Sequence, residues 1–347
     1  MLFSKKKKAK TKFRFSDLKA WQKALIIISV IILLLCILAS WGINSLLNKI
    51  NKAEFIDPID PAFEYFETDD NENGYEVVEP ESIEWPENTE AIRKSEVTNI
   101  LLIGQDRREG EGRARSDSMI IASIDKKRET ISLISLMRDT YVQIPGYSDN
   151  RLNAAYAFGG MELLDETIYL NFGIEIDANV EVDFEAFVSV IDAVGGVDVY
   201  ISQAEAECLY GFMSRRGEPY LSEGIVHMDG ELALQYSRIR KLAGSDFART
   251  ERQRKVLSAV INKARTSDIE TILKFADSLL PMVTTDMTNT QIVGYVMEFF
   301  PLLADSSIDM YRVPANDDYY DASIRGMSVL VPDLTACRDY LNDIIYG

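Results

Sequence analysis

Six charged residues, Asp106, Arg107, Arg115, Asp117, Arg138 and Asp139, stand at the ends of three apolar runs. Their types suit one chemistry. Aspartates supply hard oxygen ligands for Mg²⁺ and arginines supply planar forks for phosphate oxygens, the combination that phosphoryl transfer requires. Taken singly, each reads as solvated loop charge; gathered at one sheet edge, they read as a site. The chain has no Walker A loop, so a nucleotide is not the obvious ligand.

A second cationic group lies in "SDFARTERQRKV", residues 245 to 256. At about 100° per residue, Arg249, Arg252 and Gln253 share one helix face, continued by Val256, Leu257, Val260 and Ala264. Glu251, Arg254, Ser258, Asn262 and Arg265 take the opposite face, with Lys255 at its edge, and read as the solvent side. Arg249 and Arg252 thus point inward at the first turn of a helix, where free N–H groups and the macrodipole favour an anion. Internal salt bridges to carboxylates explain the same pair equally well.

Three strands must position the first group. "VTNILLIG" (97 to 104), "SMIIASI" (118 to 124) and "TISLISL" (130 to 136) are short, apolar and bounded by polar turns, and as a meander they bring the six charges to one edge. "RLNAAYAFGG" reads as a turn ahead of an amphipathic helix, and residues 179 to 201 as strand, helix, Gly-Gly turn and strand. "DGELALQYSRIRK", the arginine helix, later helical segments and a short strand near "IDMYRVP" follow. The alternation predicts an α/β fold, a three-layer α-β-α domain with a mixed central sheet.

The whole chain sets limits. Its 347 residues, 47% hydrophobic, can bury a large core, and its formal net charge is −18. Residues 1–23 carry nine Lys or Arg against Asp17 alone, and 24–43 form an apolar run broken only by Ser29, Ser40 and Gly42. That run predicts one N-terminal transmembrane helix, retained rather than cleaved as a signal peptide, with a basic cytoplasmic tail and the C-terminal domain outside the cell. Residues 44–95 are rich in acids and poor in aliphatics and read as a mostly disordered extracellular linker before a domain over 96–347. Cys208 and Cys337 are the outer region's only possible disulfide pair, and pairing is not decided by sequence. One histidine, His227, and no CxxC make a zinc site or Ser-His-Asp hydrolase improbable and leave His227 a structural reading.

In their order, "NILLIGQDRREGEGRARSDSMI", "SLMRDTYVQIPG", "RLNAAYAFGG", "VDFEAFVSVIDAVGGVDV", "HMDGELALQYSRIRK" and "GSDFARTERQRKVL" resemble the LytR-CpsA-Psr family over a motif core of 97–265. The resemblance implies a cell-wall glycopolymer ligase. Such an enzyme moves a glycopolymer from a polyprenyl pyrophosphate carrier to the C6 hydroxyl of N-acetylmuramic acid in peptidoglycan, forming a phosphodiester, commonly with Mg²⁺. By motif it implies Asp106 and Asp117 as metal ligands, with Arg138 beside them in catalysis. It gives Arg107, Arg115, Arg138, Arg151, Arg238, Arg240, Arg249, Arg252 and Gln253 to the pyrophosphate. Arg151 stands where many relatives have lysine, and "SLMRD" replaces "SIPRD". The apolar stripe behind the arginines reads either as a slot for the polyprenyl tail or as plain core. A non-catalytic polyprenyl-phosphate receptor would use the same arginines. A transcription attenuator is opposed by the topology and by the lack of a DNA-binding motif, so no nucleic acid partner is expected.

Overall fold

The computed structural model describes residues 40–54, 57–69, 74–86, 96–105, 116–242, 245–266, 277, 279–303 and 306–347. Two compact units divide the chain, 1–48 and 49–347. In the first, residues 40–47 are helical. The expected span over 24–43 lies outside the described residues apart from 40–43, and no helix among the described residues is long and apolar enough to cross a membrane.

The second unit runs β1 (Asn51–Lys52), β2 (Val97–Gln105), β3 (Ser116–Asp125), β4 (Thr130–Leu136), β5 (Tyr141–Val142), β6 (Asn150–Arg151), α1 (Leu152–Phe172), β7 (Ala178–Asp183), α2 (Phe184–Ala193) and β8 (Val197–Ile201). It continues with α3 (Gln203–Cys208), α4 (Tyr210–Arg216), β9 (Gly224–Met228), α5 (Gly230–Ser237), α6 (Ser245–Thr266), β10 (Val283–Thr285), α7 (Asn289–Leu303), β11 (Ser307–Val313), β12 (Tyr319–Ile324), β13 (Met327–Pro332) and α8 (Leu334–Tyr346). Seven strands form the central sheet in the order β1-β10-β7-β2-β3-β4-β11. The expected β2-β3-β4 meander is antiparallel, while β7 joins β2 and β11 joins β4 in parallel, so the sheet is mixed as expected.

Period-two alternation gives both faces of the sheet something to bury. Leu101, Ile103, Met119, Ile121, Ile134 and Leu136 pack with residues of α1 and α8. Ile120, Ile131 and Leu133 pack on the other face with Leu102, Ile308 and, from α6, Leu257 and Ile261. Helices on both faces make three layers. A smaller core under α6 joins α2, α5 and the β8-β9 hairpin through Ile191, Val199, Met228, Tyr236 and Val256.

Two expectations change. Residues 152–159 are helical rather than a turn, and the break comes at Gly160, whose φ of 70° and ψ of −152° suit glycine. The described parts of 57–86 are no detached spacer: Tyr65 packs edge-on against Phe158, Trp85 stacks on Tyr141, and the Ser148 hydroxyl donates to Glu64. Sparse aromatic anchors hold this acidic strand of chain where aliphatics are few. Cys208 and Cys337 are free thiols. The β12-β13 hairpin and α8 have no counterpart in the sequence reading.

Candidate active site

β3 and β4 end at the same sheet edge, with Met119 opposite Leu136, which sets Asp117 beside the Met137-Arg138-Asp139 turn. Arg138 organises that edge. Its Nη1 donates to Asp117 Oδ1 at 2.8 Å, and its Nε donates to Asp246 Oδ2 at 3.1 Å and Asp139 Oδ2 at 3.3 Å. Asp246 lies in the first turn of α6, so this one guanidinium ties the sheet edge to the arginine helix. Burial works against the Arg138 cation, but Asp139, Asp246 and Asp117 outweigh it and raise its pKa above the ordinary arginine value.

The paired acids behave oppositely. Burial pushes the Asp139 carboxyl up to about 6 despite Arg138 and Arg151. Asp246, also penalised by burial, is held below the carboxylate range by Arg138 and Arg249. As pH falls, Asp139 is therefore the first of the pair to take up a proton, while Asp246 keeps its charge.

Arg249 and Arg252 do face inward, each about 97% buried at 3% and 2% exposure, yet their surroundings differ. Arg249 Nη2 reaches the Asp117 carbonyl at 3.4 Å and Asp246 Oδ1 at 3.5 Å, while its Nε is buried with no hydrogen-bond partner. Burial, and the like charges of Arg138 and Arg240, lower its pKa against the pull of Asp246 and Asp117. Arg252 also has a buried Nε without a hydrogen-bond partner, but it has a carboxylate of its own: it sits 3.5 Å from Glu205 Oε1 and donates to the Ile239 carbonyl. Arg151 is likewise spoken for: its Nε and Nη2 donate to the Ser328 carbonyl at 3.0 and 2.8 Å, Nη2 also meets Asp69, and Asp139 Oδ1 is 3.6 Å away. The geometry leaves Arg252 and Arg151 as supports behind the site.

Arg238 and Arg240 are exposed. The Arg238 guanidinium carbon lies 4.6 Å from the Phe184 ring centroid. Asp106, Arg107 and Arg115 lie outside the described residues. Arg254, expected at the solvent, is 5% exposed. A single-stripe wheel misplaces it because α6 is covered on two sides: Val256 faces the small core while Leu257 and Ile261 face the sheet, leaving only an arc near Glu251 and Asn262 open. Asp246 was missed altogether, since an acid in the first turn of a helix ordinarily signals only a favourable dipole contact.

Behind the charges opens an apolar slot of about 670 Å³ of empty volume, counting the space that reaches solvent. Leu102, Ile120, Phe184, Phe187, Leu234 and Leu257 line it, with Ser118, Asp183, Ser237, Arg238 and Gln253 as its polar members; the Asp183 carboxylate accepts from the Ala186 N–H at the start of α2. The Ser118 hydroxyl donates to Gln253 Oε1 at 3.1 Å. The stripe on α6 is therefore core at Val256 and slot wall at Gln253 and Leu257. Among the described residues no group of three His, Cys, Asp or Glu side chains could hold a metal ion. His227 pairs with Asp198 at 2.8 Å on the exposed β8-β9 hairpin, in keeping with a structural role.

A family model for the LytR_cpsA_psr family matches residues 64–342. The chain is 32% identical over 267 residues to a polyisoprenyl-teichoic acid–peptidoglycan teichoic acid transferase, TagV, of Bacillus subtilis (strain 168), covering 73% of this chain and 68% of that protein. It is 36% identical over 208 residues to a transferase of the same description, TagU, of Bacillus mycoides (strain KBAB4), covering 58% of this chain and 64% of that protein. The latter match spans just under two thirds of the relative. Among solved structures it is similar to TagT bound to LIIa-WTA, with a TM-score of 0.60, 27% identity, and 73% and 92% of the two chains covered. The order of the motifs, the mixed sheet and the arginine-lined edge have one common explanation: the chain belongs to the LytR_cpsA_psr family.

Proposed function

We propose that this chain is a phosphotransferase that moves a glycopolymer, of the teichoic acid class, from a polyprenyl pyrophosphate carrier to the C6 hydroxyl of N-acetylmuramic acid in peptidoglycan. The observation that carries the reading is an apolar slot whose lining includes the exposed Arg238 and Ser118, the residue that follows Asp117 at the edge where Arg138 and Arg249 meet. Such an arrangement suits a headgroup of two phosphates on a hydrocarbon tail. The relatives' activity on polyisoprenyl-linked teichoic acid and peptidoglycan supports it.

In this reading the tail enters between Phe184, Phe187, Leu234 and Leu257, and Arg249, Arg138, Arg240 and Arg238 hold the pyrophosphate. Arg249 supplies its unpartnered Nε, and Arg138 stays charged throughout because three carboxylates sustain it. The acceptor hydroxyl attacks the sugar-proximal phosphorus in line; its new P–O bond forms as the bond to the bridging oxygen breaks, and polyprenyl phosphate leaves with that electron pair. The arginines meet the charge that builds on the equatorial and leaving oxygens. Mg²⁺ is proposed at Asp117 with Asp106. Asp117 offers hard carboxylate oxygen beside the phosphate-binding arginines, and Mg²⁺ commonly binds through one or two carboxylates and substrate phosphates. When bound, the ion would neutralise charge on the phosphoryl oxygens. The membrane anchor over 24–43 and the extracellular placement belong to the same proposal, since carrier and acceptor meet at the outer bilayer face. Asp117→Asn is expected to lower transfer strongly with the fold kept; unchanged rate and Mg²⁺ dependence would remove it from the site.

A further inference from the structure

The N-terminal half of α6 has a second cationic side. Arg254 follows Arg249 by five residues, which moves it about 7.5 Å along the axis and roughly 140° around it. There its Nε and Nη1 are both buried with no hydrogen-bond partner, in a residue only 5% exposed. Arg312, from β11, has Nη1 in the same condition; its Nη2 donates to Asn316, and its guanidinium carbon lies 4.0 Å from the Phe247 ring centroid. The two cations act on each other, and both act on the Tyr340 hydroxyl, whose ring meets Tyr311 edge-on at 6.2 Å.

Among the described residues no carboxylate makes a salt bridge to either cation of this pair. Glu251, which acts on Arg254 from one turn earlier, bonds Lys255 Nζ at 2.8 Å, with its side chain 56% exposed. Asp318 acts on Tyr340. Burial and Arg312 hold the Arg254 guanidinium down to about 10, against Glu251 and Tyr340, so at neutral pH it is a cation whose nearest carboxylate is shared with Lys255. Unpaired buried cations are strongly unfavourable, and natural folds keep them where a ligand supplies the anion.

We propose that Arg254, Arg312 and Tyr340 form a second oxyanion site, separate from the pyrophosphate cluster, that takes a phosphodiester of the transferred polymer. The inference rests on the functional reading above: a teichoic-class polymer repeats its phosphodiesters, so a chain whose pyrophosphate sits at Arg249 carries further phosphates. Phe247 joins the two places, since its neighbour Asp246 bonds Arg138 while its ring lies under Arg312. Two guanidinium groups and a phenol also match the several oxygens of a phosphate better than the two of a carboxylate. The site would select phosphate-bearing polymers over neutral ones.

The test titrates a lipid-free glycerol phosphate oligomer into the full chain in detergent, first saturated with farnesyl pyrophosphate. Arg254→Met and Arg312→Met are each expected to weaken the oligomer roughly tenfold or more, leaving farnesyl pyrophosphate affinity within about twofold. Their melting temperatures without ligand should be unchanged or higher, because an unpaired buried charge has been removed. Folded variants that bind the oligomer as the parent does would overturn the proposal, as would inorganic phosphate binding as tightly as the oligomer. A muropeptide that binds in place of the oligomer, and is lost in both variants, would assign the site to the acceptor's carboxylates and equally overturn it. Failure of farnesyl pyrophosphate to bind the parent chain would instead remove the functional reading, and the oligomer arm would still decide this one.

Discussion

At the scale of single residues, arginines one turn apart on α6 carry different duties, and partners rather than helix phase separate them. Arg249→Ala removes a charge-assisted donor with an unfilled Nε, so affinity for a prenyl pyrophosphate should fall roughly ten- to a hundredfold while the melting temperature holds. Arg252→Ala removes the cation beside Glu205, which keeps its bonds from Ser202 and Tyr236, and frees the Ile239 carbonyl, so the expected loss is about 1 to 3 kcal/mol of stability, read in thermal melts. Equal affinity losses with equal melts would erase the distinction. Asp139 gives a pH test. Its folded carboxyl is raised to about 6 from an ordinary 3.8, so between those values the folded chain holds a proton that the unfolded chain has released. Stability then falls as pH rises through that window, by up to about 3 kcal/mol, and Asp139→Asn should flatten the fall in urea melts run at pH 4 and pH 7. The sequence disclosed where Asp117 and Arg138 stand, at strand ends, and that Arg249 faces inward on α6, because those residue types and spacings are informative on their own. It hid the duties of Arg151 and Arg254, whose roles depend on Ser328, Asp69, Arg312 and Tyr340, each distant in sequence.

At the scale of elements, short runs with a clear period were legible and pieces held by long-range contact were not. The β2-β3-β4 meander, β7-α2-β8 and α6 follow from apolar spacing and turn residues. The described parts of 57–86 offered no period, since their order comes from a few rings and carboxylates docking on α1 and the β12-β13 hairpin. The α6 face was misjudged for a related reason: a wheel assumes one covered side, and this helix has two. The slot depends on an equally specific approach. A Cβ at Gly230 would lie 2.3 Å from the Val188 carbonyl oxygen, so α5 can close on α2 only without a side chain there. Gly230→Ala should wedge the slot walls Leu234 and Phe187 apart, lowering stability by about 1 to 3 kcal/mol and weakening long prenyl chains more than short ones. Melts and a chain-length series of prenyl pyrophosphates would check it, and equal affinity loss at every chain length would count against the slot.

At the scale of the whole molecule, a chain of net charge −18 concentrates inward-facing cations where a strand edge meets α6. That contrast directs a polyanionic substrate to one place on an otherwise repelling surface. The basic tail and apolar run at residues 1–43 would hold this place near the carrier lipid, and a reporter fused after Gly347 is expected to be active only outside the cytoplasm; activity inside would reverse the topology. The central claim, however, is chemical transfer, which a lipid receptor with the same arginines would not perform. The direct measurement incubates the full chain with Mg²⁺, a polyprenyl pyrophosphate-linked teichoic precursor and peptidoglycan, then digests the wall and identifies the muramic acid products by mass spectrometry. The account predicts a phosphodiester at the C6 hydroxyl with release of polyprenyl phosphate, both strongly reduced in Arg138→Ala and Arg249→Ala chains that remain folded. Tight precursor binding by the parent chain with no phosphodiester formed would contradict it.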